Sequence, residues 1–233
     1  MRWTSLITGL AITVLAGCTV TTVPPPVSTA PTAQVEPVAR GTQTFAQVVQ
    51  TVEPVAEREC RARTSRVNCN FKIVVDPRPD QPANAFQTLD NSGRPIIAFT
   101  QALINDAQNA DELAFVLGHE AAHHIAGHIA RQQQNAVAGA VISGSVAVLL
   151  GGGAEAVETA QRTGAQLGAR SYSKSFELEA DALGTVITAR AGYDPLRGAL
   201  FFTRIPDPGD KFLGTHPPNS QRIEIVRRTV AGL

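Results

Sequence analysis

The chain has 233 residues, with 20 Lys and Arg against 20 Asp and Glu, 43% hydrophobic residues and a pI near 7.0. That balance, with no basic patch interleaved with aromatics, excludes the electrostatic footprint of a nucleic-acid binder. Setting aside the amino-terminal segments described next leaves about 190 residues, enough for one domain with a proper core.

Met1-Arg2-Trp3 carries a positive charge and Leu6 to Ala16 is apolar. That is the length of a signal-peptide core and too short to span a bilayer. The stretch ends in Leu15-Ala16-Gly17-Cys18, which resembles the bacterial lipobox. The resemblance implies that residues 1–17 are removed and that Cys18 is acylated, giving a membrane anchor through an N-terminal lipid. The alternative is an ordinary secretory signal with a chance cysteine. Thr19 rather than Asp after the cysteine, by resemblance to Gram-negative lipoproteins, favours the outer membrane, facing the periplasm. Residues 18–43, rich in Pro, Thr, Val and Ala, read as the lipidated cysteine and an extended tether. Residues 44–233 are expected to form the folded domain.

Phe45, Val48, Val49, Val52 and Val55 recur at helical spacing, which predicts a helix over roughly 44–58, bent at Pro54. Cys60 and Cys69 follow, a spacing that suits a short disulfide loop in an oxidising compartment. A pair of metal-binding thiols is the weaker alternative, because no further cysteine completes a site. Asn70 to Asp76 reads as a strand, as do Ala85 to Leu89 and Pro95 to Thr100, the last two joined by a turn at Asn91-Ser92-Gly93. Asn109-Ala110-Asp111-Glu112 is a capping-box-like helix start.

The second half of that helix carries His119-Glu120-Ala121-Ala122-His123. Histidines at i and i+4 share a face one turn apart, so both imidazoles reach one metal ion, and Glu120 beside them can take a proton from water. The five histidines of the chain are His119, His123, His124, His128 and His216, none of them scattered. Two packed helix histidines without a ligand are the bland alternative. Residues 136–153 carry no charge and are rich in Gly, Ala and Val. They read as a buried or membrane-grazing helix rather than a span, with a mobile flap as a variant. Glu177 and Asp181, again at i and i+4, share a face, while Glu179 points elsewhere. Glu177 from this second helix would complete a His2Glu set for one Zn2+, with Asp181 holding the outer nitrogen of a ligand histidine. A solvated acidic face is the competing reading. Gly192 ends this helix and Asp194-Pro195 starts another.

Together, His119-Glu-x-x-His123, Glu177-x-Glu179-Ala180-Asp181, Ala191-Gly192-Tyr193-Asp194-Pro195 and Thr215-His216-Pro217-Pro218 followed by Arg222 resemble the zinc metallopeptidase family of the CaaX prenyl proteases and HtpX. The likeness is greatest to its bacterial periplasmic lipoprotein members and covers roughly residues 80–225. It implies an α+β, mainly helical zincin-like domain with a small β-sheet and the His-Glu-x-x-His run on an active-site helix. It also implies His119, His123 and Glu177 as zinc ligands, Glu120 as catalytic base, Asp181 and Arg222 behind them, and His216 near the metal. His216 would either donate to the oxyanion or occupy the open metal position and hold the enzyme silent. A metzincin would need Gly at 126 and His at 129, where this chain has Ala126 and Ile129. His124 and His128 are therefore expected at the surface or behind the ligands. No set of membrane helices or helical-repeat extension accompanies the motifs, so the expected substrates are envelope polypeptides rather than prenyl peptides. Substrate would add as a strand near Asn84-Ala85-Phe86 or Pro95 to Thr100. A chaperone or assembly factor for outer-membrane proteins, with a structural or silent zinc site, is the rival reading.

Overall fold

The computed structural model describes residues 37–233 apart from 172, 210–213 and 215, with side chains from residue 44 onward. The signal, Cys18 and most of the tether therefore lie outside the described residues. Helix α1 spans Pro37–Arg63 and buries Phe45, Val48, Val52, Val55 and Ala56 along one stripe. It is longer than its apolar period suggests at both ends. Proline at a first helical turn costs no hydrogen bond, so Pro37 opens the helix seven residues inside the segment read as tether. Pro54 sits within it. Cys60, in its last turn, is bonded to Cys69, with Cα atoms 5.7 Å apart.

Strands β1 (Lys72–Asp76), β2 (Ala85–Leu89) and β3 (Pro95–Thr100) form one sheet in the order β1-β3-β2. β3 runs parallel to β1 and antiparallel to β2. The β2–β3 turn closes on Asp90, whose side chain accepts from the backbone of Ser92 and Arg94, and Gly93 supplies the positive φ of 78°. β3 is buried along its length because it is the middle strand, which removes it as a place for a substrate strand to add. β2 keeps one edge unpaired.

Thr100 caps the short α2 (Gln101–Asp106). Helix α3 (Ala110–Ile125) starts as expected, with the Asn109 side chain accepting from Glu112 N. The Glu112 carboxylate reaches back one residue further than a capping box would, to Gln108 N at 2.9 Å, and is fully buried against Arg204. α3 is the central helix. It packs on α1 and the sheet through Leu113, Ala114, Leu117 and Ala121, and on α6 (Ser173–Arg190) across Gly118 and Gly184. A Cβ on Gly184 would stand 2.8 Å from His119 N and 2.9 Å from its Cα, so backbone meets backbone there.

Between them, α4 (His128–Leu149) and α5 (Ala154–Ser171) form a hairpin. Its seam is backbone against backbone as well: a Cβ on Gly139 would fall 2.0 Å from Gly164 O, and one on Gly168 2.0 Å from Asn135 O. The outer face carries Val137, Val141, Ile142, Val148, Leu149 and Leu150, all more than half exposed. The expectation of a buried helix is therefore wrong for this stretch. Small residues take the interior seam, leaving the large apolar ones outside. Among the described residues no helix is long and apolar enough to cross a membrane. The chain finishes with α7 (Pro195–Gly198, capped by Asp194), a 3-10 turn over Ala199–Thr203, and α8 (Asn219–Ala231).

Candidate metal centre

The α3–α6 crossing sets the site. His119 and His123 are one turn apart on α3, and Glu177 and Asp181 one turn apart on the facing side of α6. The Nε2 atoms of His119 and His123 are 3.0 Å apart. Glu177 spans them, with Oε2 3.5 Å from His119 Nε2 and Oε1 3.4 Å from His123 Nε2. Donors at about 2.0–2.2 Å around a tetrahedral zinc stand about 3.4 Å apart, so this triangle has the right edges, and two imidazoles with one carboxylate is a donor set zinc takes while keeping a fourth position open. Among the described residues these three form the group that could hold a metal ion.

The charge balance points the same way. Asp181 is fully buried and accepts from Arg222 Nε at 2.8 Å and Nη2 at 2.7 Å, and its Oδ1 lies 2.9 Å from His119 Nδ1. Arg222 comes from α8, with its guanidinium 3.9 Å above the Phe202 ring. Burial works to raise the Asp181 and Glu177 carboxyls, but Arg222 on the first and the two imidazoles on the second hold both well below the usual range. Burial works to lower His119, and the bonds to Asp181 and Glu177 overcome it and lift the ring well above an ordinary histidine. Two carboxylates against one guanidinium leave a site that draws in positive charge, whether a proton or a metal cation. Asp181 fixes His119 by its outer nitrogen, the arrangement expected of a ligand histidine.

A cleft of about 660 Å3 opens over these groups. Glu120 lines it beside His119 and His123, as do Phe115, Phe176, Phe202, Arg222 and residues Ala83 to Gln87 at the β2 edge. His216, exposed in the loop before α8, lines the same cleft.

His124 and His128 separate. His124 Nε2 meets Asn68 O at 2.8 Å and its ring sits edge-on to Phe71. His128, the first residue of α4, is buried behind His123, with its Nδ1 2.8 Å from His123 Nδ1. Burial pushes His128 down to about 4, with the bond to Glu179 resisting. Glu179 does point away from the donor triangle, but toward His128 and Arg131, at 3.1 and 2.8 Å. The sequence reading gave neither Glu179 nor Arg131 a part. The available signal was the recurrence of His at 119, 123 and 128, but His123 and His128 lie on different helices joined at Gly127, so spacing alone could not pair them.

A mainly helical domain with a small sheet, in which two imidazoles of one helix and a carboxylate of the next meet under a cleft, is the arrangement of a metallopeptidase domain. The chain belongs to peptidase family M48, whose family model matches residues 42–230. It is 31% identical over 140 residues to a Vibrio cholerae protein named for beta-barrel assembly-enhancing protease, covering 54% of this chain and 29% of that one. To the beta-barrel assembly-enhancing protease of Escherichia coli O157:H7 it is 29% identical over 144 residues, 56% of this chain and 30% of the other. To the mitochondrial metalloendopeptidase OMA1 of Arabidopsis thaliana it is 28% identical over 135 residues, 56% and 27%. The chain thus matches less than a third of the length of these curated relatives.

Proposed function

We propose that this chain is a zinc-dependent metalloendopeptidase that hydrolyses peptide bonds of misfolded or misassembled envelope proteins while held to the membrane by a lipid on Cys18. The observation that carries the reading is the His119–His123–Glu177 triangle with Glu120 in the same cleft. Zinc held by those three side chains supplies Lewis-acid polarisation of the scissile carbonyl and acidification of a water. Glu120, on the same helical turn, takes the proton of the attacking water and passes it to the leaving amine. Asp181, clamped by Arg222, keeps the His119 ring turned with Nε2 toward the metal position. Substrate lies extended along the unpaired edge of β2, where backbone hydrogen bonds give affinity with loose sequence preference. The β2 edge at Ala83 to Gln87 borders the cleft, which supports that placement.

A signal over residues 1–17, a lipidated tether running from Cys18 to the start of α1 and a catalytic domain from Pro37 onward complete the proposal. The Cys60–Cys69 bond fits an oxidising compartment, and the names of the bacterial relatives fit an envelope substrate. The deciding experiment is Glu120→Gln in the full chain, with zinc content measured alongside cleavage of an unfolded protein. Zinc retained with a rate at least ~100-fold lower is expected for loss of the acid–base group. Zinc retained with undiminished cleavage refutes the hydrolase mechanism. Absence of cleavage by the zinc-loaded wild type would favour an assembly factor.

A further inference from the structure

Resting on the zinc-site reading above, we infer that His128 is the positioning residue for the second ligand imidazole, fixing His123 in its metal-ready tautomer through a proton-ordered chain that ends at Glu179. His123 presents Nε2 to the donor triangle and Nδ1 to His128 Nδ1, 2.8 Å away. Two ring nitrogens at that distance share a single proton, so one ring donates and the other accepts. The far end of the chain decides which. His128 Nε2 lies 3.1 Å from Glu179 Oε2, and Arg131 Nη1 donates to that same oxygen at 2.8 Å. An ionised carboxylate only accepts, so the His128 proton sits on Nε2 and its Nδ1 offers a lone pair. His123 must then carry its proton on Nδ1. Its Nε2 is left bare toward the position between His119 and Glu177, which is the form a metal requires.

The geometry holds His128 to this task. Gly127, at φ +67°, turns the chain between α3 and α4 so that the first residue of α4 faces back on α3. The His128 ring stacks on Phe176 of α6, centroids 4.6 Å apart and planes within 13°, and the residue is 4% exposed. Arg131 lies 4.4 Å from the same Phe176 ring. Three helices thus converge on one imidazole, which borders the cleft and meets the donor triangle through His123. The two ligand histidines are held by different chemistry: His119 by a carboxylate with its own guanidinium, His123 by a neutral ring that relays to a carboxylate at the surface.

The test uses the full chain, metal-free and zinc-loaded, with three variants. His128→Phe keeps a flat ring for Phe176 but has no lone pair, His128→Asn keeps an acceptor oxygen near the Nδ1 position, and Glu179→Leu removes the terminal acceptor at an exposed site. Zinc dissociation constants come from competition with a chromophoric chelator, and histidine tautomers from 15N NMR. His128→Phe should weaken zinc binding about 10–100-fold, the usual cost of losing the partner behind a ligand. His128→Asn should stay within about threefold of wild type. In the wild type the His123 proton should be found on Nδ1 and the His128 proton on Nε2, and Glu179→Leu should abolish that ordering. Wild-type zinc affinity in His128→Phe, or a proton on His128 Nδ1, overturns the inference and leaves the zinc site standing. A wild-type protein that takes up no stoichiometric zinc overturns the site itself, and this inference with it. A role in packing alone would lower the thermal stability of His128→Phe and His128→Asn alike without separating their zinc affinities.

Discussion

Gly184→Ala tests whether the α3–α6 crossing sets the distance between the donors. The added methyl would meet His119 N at 2.8 Å, His119 Cα at 2.9 Å and Gly118 C at 3.1 Å, all backbone atoms that cannot rotate away. Carbon contacts become comfortable near 3.5 Å, so the helices must part by about 0.6 Å. That exceeds the roughly 0.5 Å within which a functional constellation tolerates displacement. Glu177 lies two turns before Gly184 on α6, while His119 is itself the contact, so the movement opens the donor triangle from the Glu177 side. Overpacking costs about 1–3 kcal/mol, and the better helix propensity of alanine returns up to ~1 kcal/mol. A net loss of about 1–2 kcal/mol corresponds to a Tm about 2–8 °C lower for a domain of this size. Zinc affinity, read by chelator competition, should fall about tenfold or more. Gly153→Ala is the control, since a Cβ there meets nothing within 4 Å. Wild-type affinity and Tm in Gly184→Ala would refute the claim that this crossing spaces the ligands.

His216→Ala separates the two roles open to that side chain: cleavage of an unfolded substrate should drop if His216 donates to the oxyanion, and rise if it blocks the metal position. Unchanged rates would remove His216 from both. Glu59 accepts from Arg190 and from Arg63, the latter at 3.0 Å; burial works to raise its pKa, but the two guanidiniums win and hold it low. A carboxyl depressed on folding contributes stability above its unfolded pKa, and that contribution drains away as the pH falls through the folded value. Glu59→Gln should therefore lower stability at pH 7, by about 1 kcal/mol once the half-exposed guanidiniums are discounted for solvent screening, and by less at acid pH, as measured by urea denaturation. An equal loss at both pH values would contradict the ion-pair account.

The sequence was most legible where periodicity is short. β2 and β3 fall on the expected residues, and the i, i+4 pairs on α3 and α6 do share faces because a helix leaves them no alternative. Asp194 caps α7 as its position before Pro195 suggests. What pattern could not supply is which partner lies across a long stretch of chain. Glu179 meets His128 from 51 residues away, and Arg222 meets Asp181 from 41. The position of β3 inside its sheet is likewise a property of topology, since a buried strand and an edge strand with similar side chains read alike. For the uncharged stretch 136–153 the buried alternative failed, because hydropathy reports how apolar a helix is and not which side of it touches protein. Gly139, Gly164 and Gly168 held the answer, marking a seam where helices touch through their backbones.

That seam has a consequence for how the molecule can change over generations. Between α4 and α5, anything heavier than hydrogen at Gly139, Gly164 or Gly168 would collide with a carbonyl oxygen, so the interior of the arm is closed to variation. Its exterior makes no such demand, because Val141, Ile142, Leu149 and Leu150 lean on almost nothing within the domain. Lineages can therefore repaint the outside of the arm without disturbing the cleft, leaving what it encounters free to diverge while the candidate metal centre stays fixed.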